Sequence, residues 1–266
     1  MHKPAPAEGF RRCVTAHHHE VDIMTFRTAL ITGSSRGIGE AIASRLAQDN
    51  YAVAINYASR GDDAEALAGR LHANGARVLA LQGDVADAAS AAALFDRVQA
   101  EWGGLDVLVN NAGVLQTVPL AETSDAAFDH MMNINVRGVF NMLRLAAQRV
   151  RAGGAIVNVS STLVATNLPG YGVYVASKAA VEGFTRVLAK ELRGRDITVN
   201  AVAPGPVATE LFLSGKSAEQ IAGFAKTAPL ERLGEPADIA NVVAFLAGPD
   251  GRWVHGQVLR ANGGLA

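Results

Sequence analysis

The stretch TALITGSSRGIGEAIASRL, Thr28–Leu46, decides how this chain folds. Its first part, TALITG, is a short apolar run ending in glycine, the pattern of a buried strand. From Gly37 to Asp49 the period changes, and Ile38, Ile42 and Leu46 fall on one helical face. Between the two lies a turn carrying Gly33, Gly37 and Gly39. The unit reads as strand, tight turn, helix.

The same alternation runs to the C-terminus. Further strands are predicted at Ala52–Tyr57, Arg77–Gln82, Leu105–Asn110, Ala155–Ser160, Thr198–Ala203 and in QVLRA, Gln257–Ala261. Further helices are predicted at Asp62–Asn74, Ala88–Trp102, Ser124–Arg149, Gly172–Leu192 and Pro236–Ala247. Asn74-Gly75 and Gly103-Gly104 are stop signals for two of them. A looser region spans Pro204–Pro236. The strands are continuous apolar runs, so both faces of their sheet should be covered. The expectation is an α/β fold, a Rossmann-type doubly wound parallel sheet of about seven strands with helices on both faces, in a single domain over residues 25–266. No internal repeat, linker or low-complexity segment interrupts it.

Composition narrows the classes of partner. The chain has 266 residues, 49% of them hydrophobic, enough for a substantial core. A formal net charge of -1 gives no electrostatic case for nucleic acid or an anionic membrane. No apolar run approaches the roughly 18 residues of a membrane span. Cys13 is the lone cysteine, which excludes an intramolecular disulfide and a cysteine-rich metal site, and which suits a reducing cytoplasm. Residues 1–24 read as a flexible polar extension without a signal-peptide core, and Met24 is a candidate start. His17–His19 do not make a preorganised metal site, so no metal is expected.

A glycine-rich turn between a strand and a helix lets a pyrophosphate approach the backbone and meet the helix N-terminus. The spacing here is G-x-x-x-G-x-G, and a plain tight turn is the bland alternative. NAD sites place an acid at the end of the second strand. Here that strand ends in Tyr57-Ala58-Ser59-Arg60, with no acid, and Arg36 lies in the glycine turn. A guanidinium suits a phosphate, so NADP(H) is predicted, with Arg36 and also Ser59 or Arg60 on the 2′-phosphate. Arg60 reads equally as a solvated arginine.

Several separated motifs occur together. They are TGSSRGIG (Thr32–Gly39), Asp84-Val85, NNAG (Asn110–Gly113), Asn135 in NVRGVF, Ser161 after IVNVS, YVASK (Tyr174–Lys178) and PGPVAT (Pro204–Thr209). In this order they resemble the short-chain dehydrogenase/reductase family, in the style of the bacterial 3-oxoacyl-carrier-protein reductases, over Phe26 to Gly264. The resemblance implies a catalytic tetrad of Asn135, Ser161, Tyr174 and Lys178. It selects Ser161 over Ser160, because Ser161 lies thirteen residues before the tyrosine. It implies cofactor contacts from Gly33, Ser35, Arg36, Gly37, Ile38 and Gly39, and adenine contacts from Asp84 and Val85. Asn110, Asn111, Ala112 and Gly113 should support cofactor and central strand, and Pro204, Gly205, Val207 and Thr209 should meet the nicotinamide end. Thr209 is also a candidate helix cap.

The chemistry explains the residue types. Tyr174 and Lys178, four apart, share one helix face. Tyrosine ordinarily titrates near 10, and a neighbouring ammonium is expected to lower that value. Tyr174 would then be general acid in reduction and general base in oxidation. Ser161 would stabilise charge on the substrate oxygen, Lys178 would hold the nicotinamide ribose, and Asn135 would hold a water linking Lys178 to solvent, or stabilise an interruption of the long helix where Gly138 also lies, two uses that coexist in the family.

The Pro206–Leu233 segment, with Leu211, Phe212, Leu213, Ile221 and Phe224, reads as an apolar substrate lid. Val114, Leu115, Leu163, Val164 and Tyr171 are expected to complete the pocket. His130 and His255 read as structural or solvated, and Trp253 as packing near the C-terminus, with a subunit contact as one form of that packing. By analogy with the family a homotetramer is expected. The function expected is reduction of a 3-oxoacyl-type or other ketone. The alternatives are a sugar or polyol dehydrogenase, and a non-catalytic protein that senses NADP(H).

Overall fold

The computed structural model describes residues 26–266. The expected extension at 1–24, with Met24 and His17–His19, lies outside the described residues. In chain order the first half comprises β1 (Thr28–Ile31), α1 (Gly37–Gln48), β2 (Ala52–Tyr57), α2 (Gly61–Ala73), β3 (Val78–Gln82), α3 (Ala88–Trp102), β4 (Leu105–Asn110), α4 (Asp125–Met132) and α5 (Val139–Arg149). The second half comprises β5 (Val150–Val159), α6 (Leu163–Thr166), α7 (Gly172–Glu191), β6 (Thr198–Pro204), α8 (Glu210–Leu213), α9 (Ala218–Thr227), α10 (Pro236–Ala247) and β7 (Val258–Ala261).

All seven strands are parallel and lie in the order β3-β2-β1-β4-β5-β6-β7. The order reverses between β1 and β4, and the crevice at such a switch point is where α/β sheets bind ligands. Strand side chains alternate between two helical layers. Ala29 and Ile31 of β1 face the layer that holds Ile42, Leu46, Leu67, Ile239 and Val243, from α1, α2 and α10. Leu30, between them, faces Leu94, Val98, Met142, Ala146, Val181 and Leu188, from α3, α5 and α7. This two-sided burial is why the strands read as continuous apolar runs.

Three stretches depart from the expected elements. The single helix over Ser124–Arg149 is two helices, α4 and α5, joined through a π-helical turn at Asn133–Gly138. Asn135 causes the break, turning a fully buried amide toward Val114: its Oδ1 accepts from Val114 N at 2.8 Å and its Nδ2 donates to Val114 O at 2.9 Å. β5 begins at Val150 rather than Ala155, because an irregularity in register between the Leu105–Val150 and Val107–Ala155 pairs lets the strand pair earlier with β4. The looser region contains α8 and α9, each with a side-chain N-cap, Thr209 on Phe212 N and Ser217 on Gln220 N.

Candidate active site

The turn after β1 opens the site. Gly33 and Gly37 hold φ of 59° and 60°, a conformation that side chains with a Cβ seldom adopt. Gly39 has a different reason: a Cβ there would lie 2.6 Å from Gly33 O and from Asn111 Nδ2. α1 therefore packs directly on the turn, with Asn111 donating to Thr32 O at 3.0 Å and Gly33 O at 2.8 Å. No side chain caps the N-terminus of α1, and its first amides face the cleft mouth formed by Gly37, Ile38 and Gly39.

One cavity of about 640 Å³ runs from this turn past the C-terminal ends of β4, β5 and β6. Gly33, Ser35, Arg36, Gly37, Ile38 and Gly39 line one end, with Ser59 and Arg60 from the end of β2. Asn111, Ala112 and Gly113 line its floor. Ser161, Tyr174 and Lys178 line the other end, and Pro204, Gly205, Val207 and Thr209 form the wall opposite. Asp84 and Val85 are not on this wall: Asp84 accepts from Ala86 N, and Val85 is buried beneath Gly138. Asn135 is also off the wall, fully buried behind it.

Helix α7 brings Tyr174 and Lys178 to one face. Lys178 is 4% exposed, and its Nζ donates to Val159 O at 2.9 Å. Nζ also lies 5.7 Å from the centre of the Tyr174 ring. Burial lowers the Lys178 pKa to about 8. Ser161 lies within hydrogen-bonding reach of the Tyr174 hydroxyl. Its neighbour Ser160 donates to Glu182 at 2.8 Å instead. Asn135 joins the group from behind. Its Nδ2 donates to Ser177 Oγ at 3.1 Å, and Ser177 in turn donates to Tyr174 O at 2.7 Å. A Cβ at Gly113 would sit 3.3 Å from Asn135 Oδ1 and 3.4 Å from Lys178 Nζ, so a glycine lets the two groups approach.

The expected depression of the Tyr174 pKa by Lys178 is corrected here. Burial pushes the phenol up to about 12, the Ser161 hydrogen bond pulls it back in part, and Tyr171 adds to the rise. Lys178 is itself desolvated and turned to Val159 O, and burial is the main cause of the rise at Tyr174.

Other expectations divide. Tyr171, Leu163, Val114, Leu115, Leu211, Phe212 and Phe224 line the cavity, and Phe212 meets Phe224 edge to face at 5.3 Å. Val164 lies outside it, and among the lid residues so do Leu213 and Ile221. His255 is structural: Nδ1 accepts from Val199 N at 3.1 Å, so Nε2 carries the hydrogen toward Ala189 O at 2.8 Å. Trp253 is 99% exposed and packs on nothing within its own chain. His130, read as structural or solvated, is exposed and lines the cavity with Ile134, one turn further along the interrupted helix. Glu210, which sequence reasoning passed over, accepts from both Arg36 and Arg60. Its 174-residue separation from Arg36 left no local signal.

The family model described as Enoyl-(Acyl carrier protein) reductase matches residues 33–266. The chain belongs to the short-chain dehydrogenase/reductase family. It is 46% identical over 248 residues to a short-chain type dehydrogenase/reductase of Picea abies, covering 90% of this chain and 92% of the relative. It is 42% identical over 243 residues to the 3-oxoacyl-[acyl-carrier-protein] reductase FabG of Staphylococcus aureus, covering 90% and 98%. The crystal structure of a short chain dehydrogenase from Burkholderia cenocepacia, in complex with NADP, superposes with a TM-score of 0.85 at 39% identity, covering 90% of this chain and 97% of that one. The parallel seven-stranded sheet agrees with the family.

Proposed function

We propose that this protein is an NADP(H)-dependent oxidoreductase that interconverts a carbonyl and a secondary alcohol, with 3-oxoacyl-type or other ketones as the substrate class. The observation that carries this reading is that Ser161 and Tyr174 line the cavity beside the buried Lys178, at the end opposite the glycine turn.

The turn fits a dinucleotide on its own geometry. Its glycines leave the backbone bare, and α1 offers uncapped amides to a pyrophosphate. Arg36 and Arg60 already converge on a carboxylate, that of Glu210, which stands in for an anion between them. The end of β2, Tyr57-Ala58-Ser59-Arg60, carries no acid to take a ribose hydroxyl. These features support NADP(H), held by Gly33, Ser35, Arg36, Gly37, Ile38, Gly39, Ser59 and Arg60, with Asn111, Ala112 and Gly113 beneath it and Pro204, Gly205, Val207 and Thr209 opposite. Asp84 and Val85 are assigned to the adenine side. When bound, the nicotinamide supplies the hydride.

The chain supplies position and protons. A phenol titrating near 12 is fully protonated at neutral pH, so Tyr174 is poised to donate its proton to a carbonyl oxygen. Ser161 stabilises the charge developing on that oxygen. Lys178 holds the ribose side and passes a proton on toward Tyr174, while Asn135 positions the helix break and bridges Lys178 to solvent through a water. The reverse direction requires phenolate, which burial opposes and a positive charge beside the hydroxyl would assist. The lid is largely apolar around Phe212, Phe224, Leu211 and Leu168, which favours a ketone with hydrophobic surface over a sugar or polyol.

We place the working unit at residues 25–266, in a cytoplasmic homotetramer. No helix among the described residues is long and apolar enough to cross a membrane. NADPH consumption on a panel of acetoacetyl thioesters, cyclic ketones, diketones and sugars tests the reading. Turnover of the thioesters or ketones supports it. Turnover of sugars alone selects the polyol alternative, and tight NADPH binding without turnover selects the sensor.

A further inference from the structure

Glu210 opens α8, where the lid meets the glycine turn. Its Oε2 accepts from Arg36 Nη1 in a short contact, and its Oε1 accepts from Arg60 Nη2 at 3.1 Å. The two arginines come from the turn after β1 and the end of β2, and Glu210 joins them from across the cavity that all three line. The preceding residue, Thr209, lies against the same turn: its Cγ2 is 3.5 Å from where a Cβ on Gly37 would sit. The hydrogen bonds from Arg36, together with the charges of both arginines, hold the Glu210 carboxyl below its ordinary range. Asp63 is a further, more distant partner of Arg60, at 3.4 Å.

Two guanidiniums aimed at one carboxylate form the donor set that a phosphate would take. The Arg36, Arg60 and Glu210 side chains remain 40%, 45% and 61% exposed, so these pairs are solvent-screened and exchangeable. A ligand that brings its own anion to the arginines must compete with Glu210. A ligand without that anion need not.

We propose that Glu210 is an internal surrogate for the cofactor's 2′-phosphate, occupying Arg36 and Arg60 until the phosphate displaces it and releases α8 from the glycine turn. The inference rests on the assignment of those arginines to NADP(H). It makes Glu210 a specificity-determining residue that weakens NADPH binding while leaving NADH binding untouched. The lid then has two states, and only the phosphate-bearing dinucleotide distinguishes between them.

The test is the dissociation constant of NADPH and of NADH, each followed by nicotinamide fluorescence. The proteins are wild type, Glu210→Gln, Glu40→Gln and the double variant Arg36→Ala/Arg60→Ala. Glu40 lies in the first turn of α1 and pairs with Arg70, so it controls for loss of negative charge near the site. Glu210→Gln should tighten NADPH roughly two- to tenfold, the scale of two exposed ion pairs, and leave NADH unchanged. Glu40→Gln should change neither. Unchanged or weaker NADPH binding by Glu210→Gln overturns the surrogate role, as does equal tightening by Glu40→Gln. The double variant tests the underlying assignment separately. If it weakens NADPH while Glu210→Gln does nothing, the assignment stands and the surrogate alone falls. If it leaves NADPH unchanged, the assignment fails and the inference fails with it.

Discussion

Replacing Lys178 by methionine should separate stability from activity, with a signature in pH. Lys178 is 4% exposed, has Val159 O as its hydrogen-bond acceptor, and titrates at about 8 instead of 10.5. Each pKa unit is worth about 1.4 kcal/mol, so keeping the ammonium buried at neutral pH costs about 3 kcal/mol. The unfolded chain holds this proton more tightly than the folded one. Stability of the wild type therefore rises with pH, starting near 8 and complete near 10.5. Tyr174 works the other way: its folded pKa of about 12 lies above the ordinary phenol value of 10.0, so its contribution is lost as pH rises beyond 10. The interval from pH 8 to 10 thus reports on Lys178. Lys178→Met has no charge to desolvate but leaves Val159 O unpaired, at about 1–3 kcal/mol. The variant should equal or exceed the wild type at pH 7, by up to about 2 kcal/mol, and fall to equal or below it at pH 10. The difference between the two proteins should move by about 2 kcal/mol across that range whatever the orphaned carbonyl costs. Urea denaturation of the cofactor-free proteins, at one protein concentration and several pH values, measures it. Parallel stability profiles from pH 7 to 10 would refute the buried ammonium, and retained turnover by the variant would refute its place in the proton path.

Three further substitutions probe other parts of the site. Gly39→Ala would put a Cβ 2.6 Å from Gly33 O, so it should lose about 1–3 kcal/mol in a thermal melt and weaken NADPH; a variant matching wild type in both contradicts the close packing of α1 on the turn. Asn135→Ala removes the hydrogen bonds to Val114 N and Val114 O and should lose about 2–4 kcal/mol, with faster hydrogen exchange at the Val114 amide; normal protection there would argue against Asn135 as the cause of the helix break. Ser161→Ala should lower kcat by about 10²–10³ with little change in NADPH binding, whereas Ser160→Ala, whose hydroxyl goes to Glu182, should not show that loss; equal losses would undo the choice between the two serines.

What the sequence disclosed was local. The β1–turn–α1 unit, the four-residue Tyr174–Lys178 spacing and the position of Ser161 after β5 each depend on contacts within a few residues or on one helix face. The parallel sheet was legible because strands buried on both faces must be apolar throughout. The interruption of the long helix was legible at Asn135 and Gly138, but its π-helical form was not, since Asn135 bonds to Val114, a loop partner 21 residues away. The rise in the Tyr174 pKa was hidden for a related reason. Residue types and spacing show that an ammonium is near, but not how far both groups are removed from water. Glu210 is the sharpest case, because its two arginine partners stand 174 and 150 residues earlier in the chain. Trp253, 99% exposed, shows the limit in the other direction: its apolar character suggested packing that its own chain does not supply.

The central claim is that hydride passes between a nicotinamide and a carbonyl carbon while Tyr174 moves the proton. Its most direct test uses NADPH deuterated at C4 on each face in turn, a ketone or acetoacetyl thioester from the panel, and mass analysis of the alcohol formed. The wild type should deliver deuterium to the carbinol carbon from one face only. Tyr174→Phe should bind NADPH as tightly yet lose turnover by a factor of about 10²–10⁴, the usual worth of a general acid. Product free of deuterium from both labelled cofactors, or undiminished turnover by Tyr174→Phe, would contradict the account.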